Sequence, residues 1–246
     1  MSDAACPLCG HSGADPYHAD HWRAYLACPR CGFVFVPAAY HLSPAAERAE
    51  YDRHDNAPDD PGYRRFLGRL AGPLAERVPP PARVLDFGCG PGPALAAMLR
   101  EAGYTVALYD AFYAPDASVL EPGYDAVTAT EVVEHLSRPG AELRRLVGLL
   151  RPGGWLGIMT KLVLDRERFA TWHYIRDPTH IGFFSAATFR WWAAAEGLHL
   201  EFAGADVILL QRPPAGPRSG PAGADGACSA PSRGLRAPYW GRGKRG

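Results

Sequence analysis

The chain has 246 residues and is 47% hydrophobic, enough for a buried core plus a smaller attached unit. Basic and acidic residues number 26 each, but seven of the basic ones and a single acid, Asp225, lie from Arg212 onward, which leaves 19 basic and 25 acidic residues before them. An acidic body disfavours a nucleic-acid groove, which draws its phosphate affinity from clustered Lys and Arg. No apolar run approaches the roughly 18 residues of a membrane span.

Residues 1–10 lack the basic start and apolar stretch of a signal peptide, so the cytoplasm is the expected compartment. Residues 1–40 instead carry two similar knuckles, Cys6-Pro7-Leu8-Cys9-Gly10 and Cys28-Pro29-Arg30-Cys31-Gly32. Eighteen residues separate the pairs, a spacing typical of a ribbon in which four thiolates close around one zinc ion. Cys6, Cys9, Cys28 and Cys31 are therefore expected to hold a structural zinc, with no coordination position left for chemistry, and strands are expected over 22–27 and 33–36.

Residues 41–81 read as a helical cap. Ser43-Pro44 suits the start of a helix, and 56–62, rich in Pro, Asp and Gly, divides the segment in two. The second helix, over 63–77, aligns Phe66, Leu67, Leu70 and Leu74 on one face. Tyr51, His54, Asn56 and Tyr63 could close over a site from this side.

From 82 to 211 strands and helices alternate, which implies a doubly covered, mostly parallel sheet. Strands are expected over 83–87, 105–109, 125–130 and 155–160, and helices over 93–101, 139–150 and 187–197. A hairpin over 198–203 and 206–211 closes the sheet, and 118–120 is the only segment available for its third strand. In residues 212–246 Gly and Pro supply 14 of 35 positions, so this tail, with Cys228, is expected to form no packed core.

The first strand of the alternating region ends in Asp86-Phe87-Gly88-Cys89-Gly90-Pro91-Gly92 and the second in Asp110, about 20 residues on. This pattern, with 124–131, the turn at 149–154 and the strand after it, resembles the class I S-adenosylmethionine-dependent methyltransferases. The resemblance implies a seven-stranded Rossmann-like sheet and a cofactor site of Asp86, Gly88, Gly90, Gly92, Asp110 and Thr130. An acid beside the glycines repels a pyrophosphate but suits the ammonium and ribose of S-adenosylmethionine, and Asp110 has the place of a ribose-gripping acid.

Glu131, Glu134 and His135 follow the 125–130 strand at i, i+3 and i+4, and His180 comes later, in Asp177-Pro178-Thr179-His180. The segment is expected to open a helical turn, so the first three share a face at the carboxyl ends of the strands. The set resembles the metal site of small-RNA 3′-terminal ribose methyltransferases and of ubiquinone-pathway O-methyltransferases. That likeness implies a second divalent ion that activates a hydroxyl; the residues alone also allow a metal-free acid/base role for His135 or His180, or a structural one. Trp172, His173 and Tyr174 offer aromatic walls for the acceptor pocket.

The expected function is methyl transfer from S-adenosylmethionine to the oxygen of a small molecule. An RNA ribose 2′-O-methyltransferase and a non-catalytic interaction module are the alternatives. The intact glycine turn argues against the second, and nothing in the sequence fixes the oligomeric state.

Overall fold

The cysteine-rich segment folds as an antiparallel meander of β1 (Asp15–Ala19), β2 (Ala24–Ala27) and β3 (Val34–Phe35). Gly10 and Gly32 close the two knuckles at φ +75° and +70°, backbone that side chains rarely adopt. The structure, a computed structural model, describes residues 4–53 and 57–215. His54, Asn56 and almost all of the tail, Cys228 included, lie outside them.

Helix α1 (Pro44–Tyr51) starts where the Ser43 side chain accepts from the Ala46 amide, and α2 (Pro61–Arg77) where Asp60 accepts from Tyr63. Both caps satisfy amides that the first helical turn leaves open. The alternating region then supplies β4 (Arg83–Phe87), α3 (Ala94–Glu101), β5 (Thr105–Tyr109), β6 (Tyr124–Thr130), α4 (Pro139–Leu149) and β7 (Leu150–Met159). It continues with α5 (Arg166–Thr171), β8 (Gly182–Phe183), α6 (Ala186–Glu196), β9 (His199–Phe202) and β10 (Val207–Gln211).

The main sheet has the order β5-β4-β6-β7-β10-β9, with β5, β4, β6 and β7 parallel and β10 antiparallel to both neighbours. This is the α/β Rossmann-like architecture expected, with its closing hairpin. It has six strands among the described residues rather than seven. Residues 117–119, overlapping the 118–120 segment expected for the third strand, form a 3₁₀ turn, because Asp116 draws the Ser118 amide onto its carboxylate at 2.9 Å and curls the chain.

One face of this sheet is covered by α2 and α3, whose Leu67, Leu70, Leu74, Leu95 and Leu99 pack on Val84, Ala126 and Leu209. The core on the other face runs without interruption from Leu85, Val127 and Ile158 through Leu143 and Trp192 to Leu8, Cys28, Phe33 and Phe35 of the cysteine-rich unit. No helix among the described residues is long and apolar enough to cross a membrane.

A second sheet, β1-β2-β3-β8, crosses the boundary expected at residue 40. Val34 and Phe35 of β3 pair antiparallel with Phe183 and Gly182 of β8, and the Val36 amide donates to the Ile181 carbonyl at 2.9 Å. The first knuckle also seats on α4, where the Gly140 amide donates to the Pro7 carbonyl at 3.3 Å. A Cβ on Gly140 would lie 2.0 Å from the Leu8 carbonyl oxygen, a contact that only backbone movement relieves. Gly140→Ala is expected to lower stability by about 1–3 kcal/mol, the usual range for overpacking, as read by denaturant titration. An unchanged midpoint would mean that this seat is not tight.

Candidate active site

Between β4 and α3 the chain must reverse within a few residues while keeping space for a ligand, and the glycines permit this. Gly88 and Gly90 have φ of +73° and +63°. The Gly88 amide donates to the Tyr109 carbonyl at 2.7 Å, and the Gly90 amide donates to the Asp110 carboxylate at 3.0 Å. The other Asp110 oxygen accepts from the amides of Phe112 and Tyr113 at 2.8 and 3.1 Å. Asp110 thus ties the glycine turn to the loop after β5. A Cβ on Gly88 would come within 2.4 Å of the Val132 side chain, so the turn has no room for a larger residue.

Asp86 lies almost wholly buried at the base of the turn and accepts from the Thr128 hydroxyl at 2.8 Å. Burial pushes its carboxyl up to about 6. The Cys89 thiol beside it is pushed up to about 12, chiefly by burial, which makes it a poor nucleophile at neutral pH.

These residues border a cavity of about 430 Å³. Asp86, Gly88, Gly90, Gly92, Asp110 and Thr130 line it together with Glu131, His135, Asp177 and His180. Tyr51 of α1 and Tyr63 of α2 complete the wall from the helical cap. The Tyr51 ring meets that of His135 edge-on at 5.2 Å.

The segment after β6 does not form the α-turn that would align Glu131, Glu134 and His135. Glu131 takes φ +52° and residues 133–135 form a 3₁₀ turn. Ligand atoms of Glu134, His135 and His180 consequently lie within 4.8 Å of one another, and Glu131 falls outside this group. The expected quartet is therefore a trio with Glu131 to one side.

The trio is fixed by hydrogen bonds behind it. Glu134 is fully buried and accepts from the Thr160 hydroxyl at 3.0 Å and from the Tyr174 hydroxyl. His135 Nδ1 meets the Thr179 carbonyl at 3.1 Å, and His180 Nδ1 meets the Tyr174 carbonyl at 2.7 Å. A carbonyl only accepts, so each Nδ1 carries a proton, which in the neutral form of the ring leaves the lone pair on Nε2. Burial and the neighbouring imidazole of His135 pull His180 down to about 4.

Two imidazoles and a carboxylate, with the imidazole tautomers set by carbonyl acceptors, suit a divalent ion such as Zn²⁺ or Mn²⁺. In the knuckles, Cys6 and Cys31 Sγ are 3.6 Å apart and Cys9 and Cys28 Sγ 3.5 Å. A tetrahedral zinc with Zn–S bonds of about 2.3 Å needs sulfurs about 3.8 Å apart, so the four thiols fit that ion.

Trp172, His173 and Tyr174 do not border the cavity. Tyr174 turns inward to Glu134, Trp172 packs on the Tyr174 ring at 4.9 Å, and His173 is exposed with Nε2 2.8 Å from Lys161 Nζ. The 3₁₀ turn over His173–Arg176 causes this by rotating successive side chains away from one another. Sequence reasoning missed Thr160, although its place just beyond the carboxyl end of β7 is a signal for a site residue, and it gave no role to Asp177.

The family model for a methyltransferase domain matches residues 53–201. The chain belongs to that family, and its sheet and glycine turn are those of the Rossmann-like class I methyltransferases. Among curated relatives, a ubiquinone biosynthesis O-methyltransferase of Xanthomonas campestris pv. campestris is 34% identical over 111 residues, 35% of this chain and 46% of its own length. One of Burkholderia lata is 33% identical over 131 residues, 44% of this chain and 52% of its own. The chain thus spans about half the length of the curated relatives it matches. A crystal structure of the Burkholderia thailandensis 1,6-didemethyltoxoflavin-N1-methyltransferase, with 1,6-didemethyltoxoflavin and S-adenosylhomocysteine bound, is 19% identical with a TM-score of 0.49, and the match covers 81% of this chain and 100% of that one.

Burial and the Glu134 carboxylate push Glu131 up to about 8, and its Oε1 is buried with no hydrogen-bond partner among the described residues. Between the ordinary value of 4.5 and about 8 the native state keeps a proton there that the unfolded chain has lost. Stability contributed by this group is present below pH 4.5 and is lost as pH rises toward 8. Glu131→Gln removes the titration. The variant's melting temperature is expected to gain on wild type between pH 5 and 8 by at least about 2–4 °C, the shift that 1 kcal/mol makes in a chain of this size. Parallel pH profiles from scanning calorimetry would contradict it.

Proposed function

We propose that the chain transfers a methyl group from S-adenosylmethionine to the oxygen of a small molecule. The observation that carries this reading is one cavity bordered both by the glycine turn with its two acids and by two imidazoles whose Nδ1 atoms are held by backbone carbonyls. The cofactor supplies a methyl group on a positively charged sulfur, a leaving group already activated.

The residues of this chain then have three tasks. Gly88 and Gly90 keep the floor of the cavity open, and Asp110, already oriented by three amides, stands where ribose hydroxyls need an acceptor. Tyr51 and Tyr63 cover the cavity and exclude water. His180, neutral above about pH 4, or His135 accepts the proton of the acceptor hydroxyl on Nε2 as the oxygen attacks. The curated relatives are named for O-methylation in ubiquinone biosynthesis, which supports an oxygen acceptor on a small molecule. The acidic body supports the same choice over RNA.

Calorimetry with S-adenosylhomocysteine tests the cofactor half. Wild type is expected to bind. Gly88→Val is expected to abolish binding by driving Val132 into the cavity, and Asp110→Ala to weaken it by about 1.5–3 kcal/mol, the range for hydrogen bonds to a charged group. Undiminished affinity in both variants would remove the assignment.

A second reading is favoured by the tight grouping of Glu134, His135 and His180. These three would hold a divalent ion, which supplies Lewis acidity that lowers the pKa of a bound hydroxyl. With the four cysteines saturated by zinc, wild type is then expected to take up one further equivalent of Mn²⁺, detected by electron paramagnetic resonance. His180→Ala should lose that uptake and keep its affinity for S-adenosylhomocysteine. No Mn²⁺ uptake by wild type leaves the imidazoles as plain bases.

A further inference from the structure

Arg23, in the cysteine-rich unit, is only 8% exposed, and burying a guanidinium costs several kcal/mol unless its donors are satisfied. Its partners are mostly carbonyls from far along the chain. Nη2 donates to the carbonyls of Ile175 and Asp177 at 2.9 and 2.8 Å, and Nη1 donates to that of Pro178 at 3.1 Å. Nε donates to the Tyr25 hydroxyl at 2.9 Å, and that hydroxyl donates in turn to Asp20 at 2.9 Å. The flat five-donor fork of arginine suits several carbonyls at once, which a lysine ammonium does not.

The place of these carbonyls gives the contact its meaning. Carbonyl 174 accepts from the His180 ring and carbonyl 179 from the His135 ring. Carbonyls 175, 177 and 178, gathered by Arg23, lie between them in the same loop. The loop is pinned again at its end, where the Ile181 amide donates to the Glu134 carbonyl at 2.9 Å.

We propose that Arg23 is a positioning residue: from the cysteine-rich unit it holds the 174–179 backbone in the shape that sets the tautomer and direction of both site imidazoles. The cysteine-rich unit is thereby part of the acceptor side of the site, with no atom of its own in contact with the reacting groups. This rests on the reading that His135 and His180 form that side.

The test uses the full chain with ¹⁵N-labelled histidine and hydrogen exchange read by mass spectrometry. Wild type is expected to show two protected Nδ1–H signals, from His135 and His180. In Arg23→Ala both should broaden or vanish, and amide exchange over 175–181 should rise at least tenfold. Exchange over 83–92 and affinity for S-adenosylhomocysteine should stay within twofold of wild type. Arg23→Lys, which keeps the charge and loses the fork, should resemble Arg23→Ala.

Retention of both ring signals and of loop protection in Arg23→Ala overturns the proposal and reduces Arg23 to packing. If Arg23→Ala loses ordered signals throughout, Tyr25→Phe decides, because it removes only the hydroxyl between Arg23, Asp20 and Ile175. A rise in exchange confined to 175–181 in that variant supports the proposal, and one spread over residues 4–40 overturns it. Failure of wild type to bind S-adenosylhomocysteine would count against the methyltransferase reading and leave these ring and loop measurements standing.

Discussion

The imidazole side of the cavity depends on one carboxyl group, that of Glu134, being out of contact with water. A carboxyl taken into a protein interior must find hydrogen-bond donors there or cost several kcal/mol. Thr160 and Tyr174 supply them. Once the Tyr174 hydroxyl is committed to Glu134, its main chain is committed too, and its carbonyl becomes the acceptor that fixes His180. The backbone of Glu134 extends the constraint, since its carbonyl receives the Ile181 amide and so directs the chain into β8. A single buried group thus links the segment after β6, the loop before β8 and, through β3, the cysteine-rich unit.

The opposite side of the cavity is built differently. Its residues come from strand ends within the parallel sheet and from a turn whose shape is set by backbone conformation, so that it needs few side-chain partners. Asp86 and Asp110 are the exceptions: Asp86 accepts from Thr128 on the neighbouring strand, and the three amide donors of Asp110 lie within its own turn and the adjacent one. Local construction leaves this half without a hydrogen bond to the cysteine-rich unit among the described residues, although the two share a core. The imidazole half is assembled from segments more than 100 residues apart, Arg23 and the 174–181 loop among them.

This difference also governs what the sequence discloses. The β4 strand, the glycine turn, Asp110 and the α2 face of Leu67, Leu70 and Leu74 are legible because each depends on short-range periodicity or spacing. The third strand is not, because Asp116 satisfies the Ser118 amide locally and the segment has too few residues to compete. Glu131 reads as a partner of Glu134 only if the segment is α-helical, and its positive φ breaks that pattern. The inward turn of Tyr174 follows from its commitment to Glu134, and no spacing announces it. Arg23 is one basic residue among 26, marked by nothing until its carbonyl partners are brought to it.

The two-residue pairing between β3 and β8 has a consequence for how this protein can be divided. With the first 36 residues gone, the amides and carbonyls of Gly182 and Phe183 would face solvent as an open sheet edge, next to Phe184, whose ring meets that of Phe33 at a tilt in the intact chain. Open edges flanked by bare aromatic rings recruit strands from other molecules. A shortened version made to isolate the methyltransferase fold would therefore self-associate through the very rim where the 174–181 loop ends.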